Sequence, residues 1–342
     1  MPKTSGPPAW LKDGFGIVLL LGFILLFFNM ANTADDGIFT LPSEWLVVNT
    51  IFLGILLEAI PFLLLGVFVS ALIQVFVSED ALNRYLPKNA YAALFPAAVL
   101  GAIFPICECA IIPVVRRLIK KGMPLHVGVV FLVGAPILNP VVAGSTYFAF
   151  RDDLTVFYLR FGLAFGLAIL IGGIMYLIFK NRDQLKWRSE ELLGKESIDI
   201  KQGPPQKQHR LKQTFYHASD EFFLMGKYLI AGALIAAMFQ TFLDREFLAS
   251  LGANDWASTA VMMAFAYVLS LCSEADAFVA ASFGNLFNEG SLAAFLLYGP
   301  MLDLKNTIML FAFFKARFVL YFMVIVTIAV FSAIMGVQLF LL

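Results

Sequence analysis

All three cysteines of the chain fall in two short sequences that also carry carboxylates. Cys107 and Cys109 flank Glu108, while Cys272 is followed by Ser273, Glu274 and, two residues on, Asp276. Both sequences sit inside long apolar stretches. An ionisable group in hydrocarbon costs about 2.5–3.5 kcal/mol even on insertion scales, so such groups mark pathways and sites. A lone membrane cysteine reads as a small hydrophobe. Three confined to two such places, each beside a carboxylate, read as functional. Soft thiolates favour soft cations, so Cys-x-Cys with carboxylates suits a thiophilic metal or metalloid. The spacing is neither that of a closed four-ligand zinc site nor that of a Cys-x-x-Cys redox pair, and no metal is assigned.

Two later groups interrupt apolar runs. Pro136 and Pro140 bracket Asn139, and Gly299-Pro300 precedes Asp303, Lys305 and Asn306. Proline frees backbone carbonyls and half-helix ends, which can hold an ion or an anion. Asp303 and Lys305 read equally as a self-neutralising pair, or Lys305 as a side chain snorkelling to an interface. Glu58, ahead of Pro61, reads as a proton-coupling carboxylate or as a polar group in helix packing. The candidate substrate-binding residues are therefore Cys107, Glu108, Cys109, Asn139, Cys272, Ser273, Glu274, Asp276, Asp303, Lys305 and Asn306, with Glu58 for coupling. His126, His209 and His217 fall at turns or in a linker, where a solvated role is the default. No phosphate-binding P-loop occurs, no catalytic set emerges, and neither an enzyme nor a cofactor is expected.

These residues need a membrane-spanning frame. Of 342 residues 60% are hydrophobic and 14% charged, with mean hydropathy +0.84, against about 45–50% and about 25% for soluble domains. The apolar excess is concentrated in runs such as 16–28, 46–76 and 318–342. Runs of about 18 or more apolar residues span a bilayer as helices. The fold class is an all-α integral membrane protein, with lipid and a small solute or ion as partners. Zero net charge offers nothing to nucleic acid, and oligomerisation stays open. Lys3 and Lys12 before an apolar stretch resemble a signal peptide, but 29–36 has no good small-x-small cleavage site, so an intact first helix is expected.

Basic residues set the orientation. Ten of the 24 Lys and Arg residues lie in 180–227, which reads as a cytoplasmic linker. Arg116-Arg-Leu-Ile-Lys-Lys121 follows the Cys107–Cys109 sequence too closely for a crossing, since a helix rises only about 1.5 Å per residue. The economical solution is a re-entrant hairpin turning at 105–109. A second hairpin, about 255–288, is flanked by Asp244, Arg245, Glu246 and Glu289, an external signature. The N-terminus is then cytoplasmic and the C-terminus external.

An internal repeat ties these features together. Phe62-Leu-Leu-Leu-Gly66 matches Tyr228-Leu-Ile-Ala-Gly232, and Ile106-Cys-Glu-Cys-Ala110 matches Leu271-Cys-Ser-Glu-Ala275. Gly134-Ala-Pro-Ile-Leu-Asn139 matches Tyr298-Gly-Pro-Met-Leu-Asp303, so the offsets run 166, 165 and 164. Each copy holds an odd number of crossings, so the copies are inverted, an arrangement recurrent in secondary transporters. The expectation is about seven spanning helices plus two re-entrant hairpins: a first helix and loop (1–45), a first repeat (46–180), a cytoplasmic linker (181–221) and a second repeat (222–342).

The sequences around Cys107–Cys109, Gly134–Pro140, Cys272–Asp276 and Gly299–Asn306 together resemble the YraQ-type predicted permeases, a family that also contains the ArsP organoarsenical efflux permeases. The resemblance covers roughly 45–340. It implies a permease of the bacterial plasma (inner) membrane without fixing its solute. The leading expectation is a secondary transporter or facilitator passing a small solute between the hairpin tips. A thiophilic metal, a metalloid and an organoarsenical stand among the candidates. The alternatives are a membrane-embedded thiol redox protein and a non-transporting assembly partner.

Overall fold

Backbone in hydrocarbon has no water to bond, so apolar runs close their hydrogen bonds internally, as helices. The structure, a computed structural model, describes residues 43–76, 91–103, 107–180, 184–186, 210–242, 255–284 and 286–340. The expected first helix and loop up to residue 42, residues 105 and 106 of the expected 105–109 turn, most of the 181–221 linker and Asp244–Glu246 lie outside these residues.

The first half of the described chain forms α1 (Ser43–Phe76), α2 (Leu94–Ile103), α3 (Glu108–Lys120), α4 (Leu125–Leu138), α5 (Pro140–Ala149) and α6 (Thr155–Phe179). The second half forms α7 (Arg210–Phe242), α8 (Asp255–Leu269), α9 (Asp276–Ser282), α10 (Glu289–Met301), α11 (Leu304–Phe313) and α12 (Ala316–Phe340). Four helices, α1, α6, α7 and α12, are long and apolar enough to cross a bilayer, and α4–α5 makes a fifth candidate bent by 40° at Asn139. This is a multi-pass membrane protein. Their outward faces carry residues such as Leu57, Leu64, Leu170, Phe223, Phe239 and Ile328, all exposed on the bare chain. So large an apolar surface fits lipid and not water.

Charge gives the molecule two distinct ends. Arg117 and Lys120 close α3, Lys121 Nζ donates to the Gln74 carbonyl near the end of α1, and Lys315 N donates to Gln184 O. This is the basic face. Asp152, Asp153 and Glu289 share the lining of a cavity of about 380 Å³ with Ala281 and Gly284 at the far ends of α5, α6 and α9. This is the acidic face.

Both helices around the first tip lie in the basic half. Tyr91 stacks edge-on against Tyr176 near the basic end of α6, while a Cβ on Gly101 would stand 3.5 Å from Ala135 near the inner end of α4. Both α2 and α3 pack on α4, and α3 ends at Lys120. At ten and 13 residues neither is long enough to cross. The acidic half holds the counterpart. The Ser258 hydroxyl donates to Ser291 near the start of α10, and a Cβ on Gly299 would lie 3.5 Å from Ala266. α8 packs on α10, and the seven-residue α9 leads to Gly284 at the acidic cavity.

α1 and α7 pack along each other, and then mainly on α3 and α11, both basic-half helices. Gly66 meets Ala110 there and Gly232 meets Lys305, and an added Cβ would stand 2.6 and 3.0 Å from those Cα atoms. On the acidic side α5 and α9 pack on one another instead. His126 departs from the expectation of a solvated turn histidine. It is 2% exposed, with its ring edge-on to Tyr176 at 4.6 Å, because the turn before α4 tucks beneath α6.

Candidate substrate site

Two interrupted helices build the floor and roof of the mid-depth region by the same device. α4 ends at Leu138, and Asn139 Oδ1 accepts from Val142 N to cap α5. α10 ends at Met301, and Asp303 Oδ1 accepts from Asn306 N to cap α11. Asn and Asp are strong N-caps because a short side-chain oxygen satisfies an otherwise orphaned N–H. Pro136 and Pro300 lie inside the last turns before the breaks, where the missing N–H weakens the ladder.

The break at Asp303 fixes the direction of Lys305. This lysine is 1% exposed and does not snorkel. Its Nζ lies 3.3 Å from Glu108 Oε1 and 3.4 Å from Asp303 Oδ2, and donates to the Ser270 carbonyl at 3.0 Å. Ser270 closes α8 with φ 49°, a left-handed conformation uncommon outside glycine and concentrated at functional sites. Across the same gap the Ser273 hydroxyl donates to Glu108 Oε2 at 3.0 Å. Glu108 and Ser273 are the residues that the internal offset of 165 pairs, and here they touch.

A second buried cation grips the opposite tip. Arg160 on α6 is completely buried and donates to Thr146 Oγ1 at 2.9 Å, Ser273 O at 3.2 Å and Asp276 Oδ2 at 2.8 Å. Each half of the chain thus supplies a cation to the tip of the other: Lys305 holds Glu108, and Arg160 holds the Ser273–Asp276 turn. Sequence reasoning missed Arg160, although a lone arginine six residues into the apolar run 154–179 was the signal.

The cysteines join this cluster. Cys107, Cys109 and Cys272 are free and buried, Cys107 lies within electrostatic range of Cys109, Glu108 and Cys272, and Cys272 within that of Glu108, Lys305, Cys109 and Glu58. Glu58 also lies within electrostatic range of Glu274. Asn139 and Asn306 stand at the two helix breaks, Asn139 turned into its own cap and Asn306 with Oδ1 unpartnered. Among the described residues no three His, Cys, Asp or Glu groups stand in metal-holding geometry.

A third polar cluster, absent from the sequence reading, seals the basic half. Glu221 on α7 accepts from Ser70 Oγ of α1 at 2.8 Å and from Arg117 Nη2 at 3.0 Å, with Arg116 Nη1 3.8 Å from its other oxygen. The Arg116 guanidinium sits 4.8 Å from the Phe313 ring centre on α11.

Residues 44–339 match the model of a family described as predicted permease, ArsP_1. The chain belongs to this predicted permease family. The permease is 48% identical over 280 residues to UPF0718 protein YcgR of Bacillus subtilis, covering 82% of this chain and 93% of the relative. It is 38% identical over 289 residues to a Streptococcus mutans protein whose name describes a subunit of a two-component membrane permease complex, covering 82% and 92%. A third relative, UPF0718 protein MJ0584 of Methanocaldococcus jannaschii, is 26% identical over 140 residues, 40% of this permease and 38% of the relative. No solved structure matches the chain.

Proposed function

We propose that this permease moves a small solute through the junction of its two helix tips, working as two inverted repeats that expose the junction alternately to either face. The observation that carries the reading is the contact at the junction itself. Ser273 Oγ donates to Glu108 Oε2 at 3.0 Å, beneath a lysine that touches both tips. Buried charge of this kind is costly in a bilayer and is kept where solutes or protons pass. The substrate-contacting set is Cys107, Glu108, Cys109, Cys272, Ser273, Glu274 and Asp276 on the tips, with Asn139, Asp303, Lys305 and Asn306 at the breaks and Glu58 in the coupling role.

Three features support the inverted arrangement: tip helices confined to opposite halves, matched caps at Asn139 and Asp303, and sequence offsets of 164–166. In this reading the α2–α3 and α8–α9 units are re-entrant hairpins. The basic face is cytoplasmic by the positive-inside rule, which puts the N-terminus inside and the C-terminus outside a bacterial plasma membrane. The domain boundaries at 45, 180 and 221 belong to the same proposal. The name of the Streptococcus relative supports a second subunit beside this chain.

A thiol-seeking solute, whether a metal, a metalloid or an organoarsenical, suits three thiols facing one junction. Purified permease in liposomes, screened for flux of such solutes and of small anions, tests the function. Flux above protein-free vesicles is expected for at least one class, and none for any class would sink the permease reading. Cys107→Ser and Cys272→Ser then test thiol contact: weaker apparent affinity in either supports it, and unchanged affinity in both removes it.

A further inference from the structure

The junction holds more negative than positive charge. Glu58, Glu108, Glu274, Asp276 and Asp303 gather around two cations, Lys305 and Arg160. Asp276 is answered by Arg160, while Glu108 and Asp303 share the single charge of Lys305. Glu58 and Glu274 have no ion-pair partner among the described residues.

The unmet hydrogen-bonding groups lean the same way. Glu274 Oε2, Asp276 Oδ1 and Asn306 Oδ1 are buried acceptors without a hydrogen-bond partner, and Asp303 Oδ2 has only its ion pair with Lys305, against one donor, Arg160 Nε. Asp276, Asp303 and Asn306 are at least nine-tenths buried. What the junction lacks is donors and positive charge. A buried carboxylate left ionised and unpaired is so costly that the group takes up a proton instead. A metal ion would meet the same need, but no three ligands stand ready for one among the described residues.

We propose that the tip junction binds protons and that Glu274 carries one through the transport cycle. Glu108, Asp276 and Asp303 are closed off from solvent, whereas Glu274 is partly exposed. It lies at the second tip. The charged groups around it are Glu58 from α1, Glu108 at the first tip, Arg160 from α6 and Asp276 on its own turn, and Cys107, Cys109, Cys272, Asp303 and Lys305 complete the junction about Glu108. Hydronium reaching the junction from the acidic side protonates the Glu274 carboxylate and leaves as water. Once the junction faces the basic side, the same O–H bond breaks to water and hydronium is re-formed there.

Proton occupancy stands apart from the permease reading, whereas the carrier role rests on it. Infrared spectra of the full chain in lipid nanodiscs at about pH 7, where exposed carboxyls are ionised, should show a carbonyl band of protonated carboxylic acid. Glu274→Gln should remove part or all of that band. Absence of the band, or a band unchanged in E274Q, overturns the proposal even where liposome flux is found. A band lost in E274Q with no flux of any solute leaves proton binding standing and removes the permease reading. In an active preparation, E274Q should abolish internal acidification coupled to flux. Coupled acidification at the wild-type rate overturns the carrier role.

Discussion

Arg160, completely buried, commits its guanidinium to Thr146, Ser273 and Asp276. Breaking a buried ion pair from one side costs about 3–5 kcal/mol, because the partner charge is stranded, whereas replacing both ions by apolar groups is often neutral. Arg160→Met should therefore lower the unfolding midpoint sharply in a given detergent, and adding Asp276→Leu should restore most of the loss. A double variant no better than the single would mean that Arg160 acts chiefly through Thr146 and the Ser273 carbonyl. At the break, Asp303→Asn keeps a capping oxygen and Asp303→Ala does not. The alanine variant should be the less stable by about 0.5–2 kcal/mol. Much of this was readable from residue type alone: cysteines and carboxylates in apolar runs pointed to the tips. What could not be read was which charge answers which, since Arg160 and Asp276 are 116 residues apart and their pairing depends on how α6 meets the second tip.

Two glycines decide how closely the long helices approach. A Cβ on Gly66 would stand 2.6 Å from the Ala110 Cα, whereas Gly162 has nothing within 4 Å. Overpacking costs about 1–3 kcal/mol, while an exposed helical Gly→Ala change gains up to about 1 kcal/mol. Gly66→Ala should lower thermal stability and Gly162→Ala should hold or raise it, and equal shifts would mean that α1 and α3 separate freely. At the acidic face, Asp153 Oδ1 accepts from the Thr155 N–H at 2.9 Å at the start of α6. That bond favours the ionised form and holds the carboxyl below its ordinary range. Its contribution is present above the unfolded-state value and is lost as pH falls through the lower folded value. Asp153→Asn should therefore differ from wild type in midpoint at neutral pH, with the difference fading in acid. Element identities were legible because apolar length and basic clusters are local signals. The matched sequences around Gly66 and Gly232 were legible too, but not the reason for them, which is backbone contact with Ala110 and Lys305.

Among the described residues a polar cluster ties the basic half together, and no sequence repeat could foretell it, because a repeat specifies two similar halves and not the contacts that close one of them. Glu221 is the centre of the closure. It joins α7 to Ser70 on α1 and to Arg116 and Arg117 on α3, and Arg116 reaches on to Phe313 of α11. If the halves alternate, this cluster must part when the junction opens to the basic face. Glu221→Gln removes the anion that the buried Arg116 and the partly buried Arg117 face while keeping the side-chain volume, so it should shift the equilibrium toward basic-side opening. The native cysteines report on it, since all three are buried in the closed form. A membrane-impermeant thiol reagent applied from the basic face should label the variant at least ~10-fold faster than wild type, the change a shift of ~1.4 kcal/mol produces. Labelling from the acidic face should slow or hold. Acceleration from both faces would indicate loosening of the fold instead of a switch, and a lowered unfolding midpoint would accompany it. Unchanged labelling from the basic face, with Arg116 and Arg117 left facing a neutral amide, would place the closure elsewhere along the α1–α7 seam.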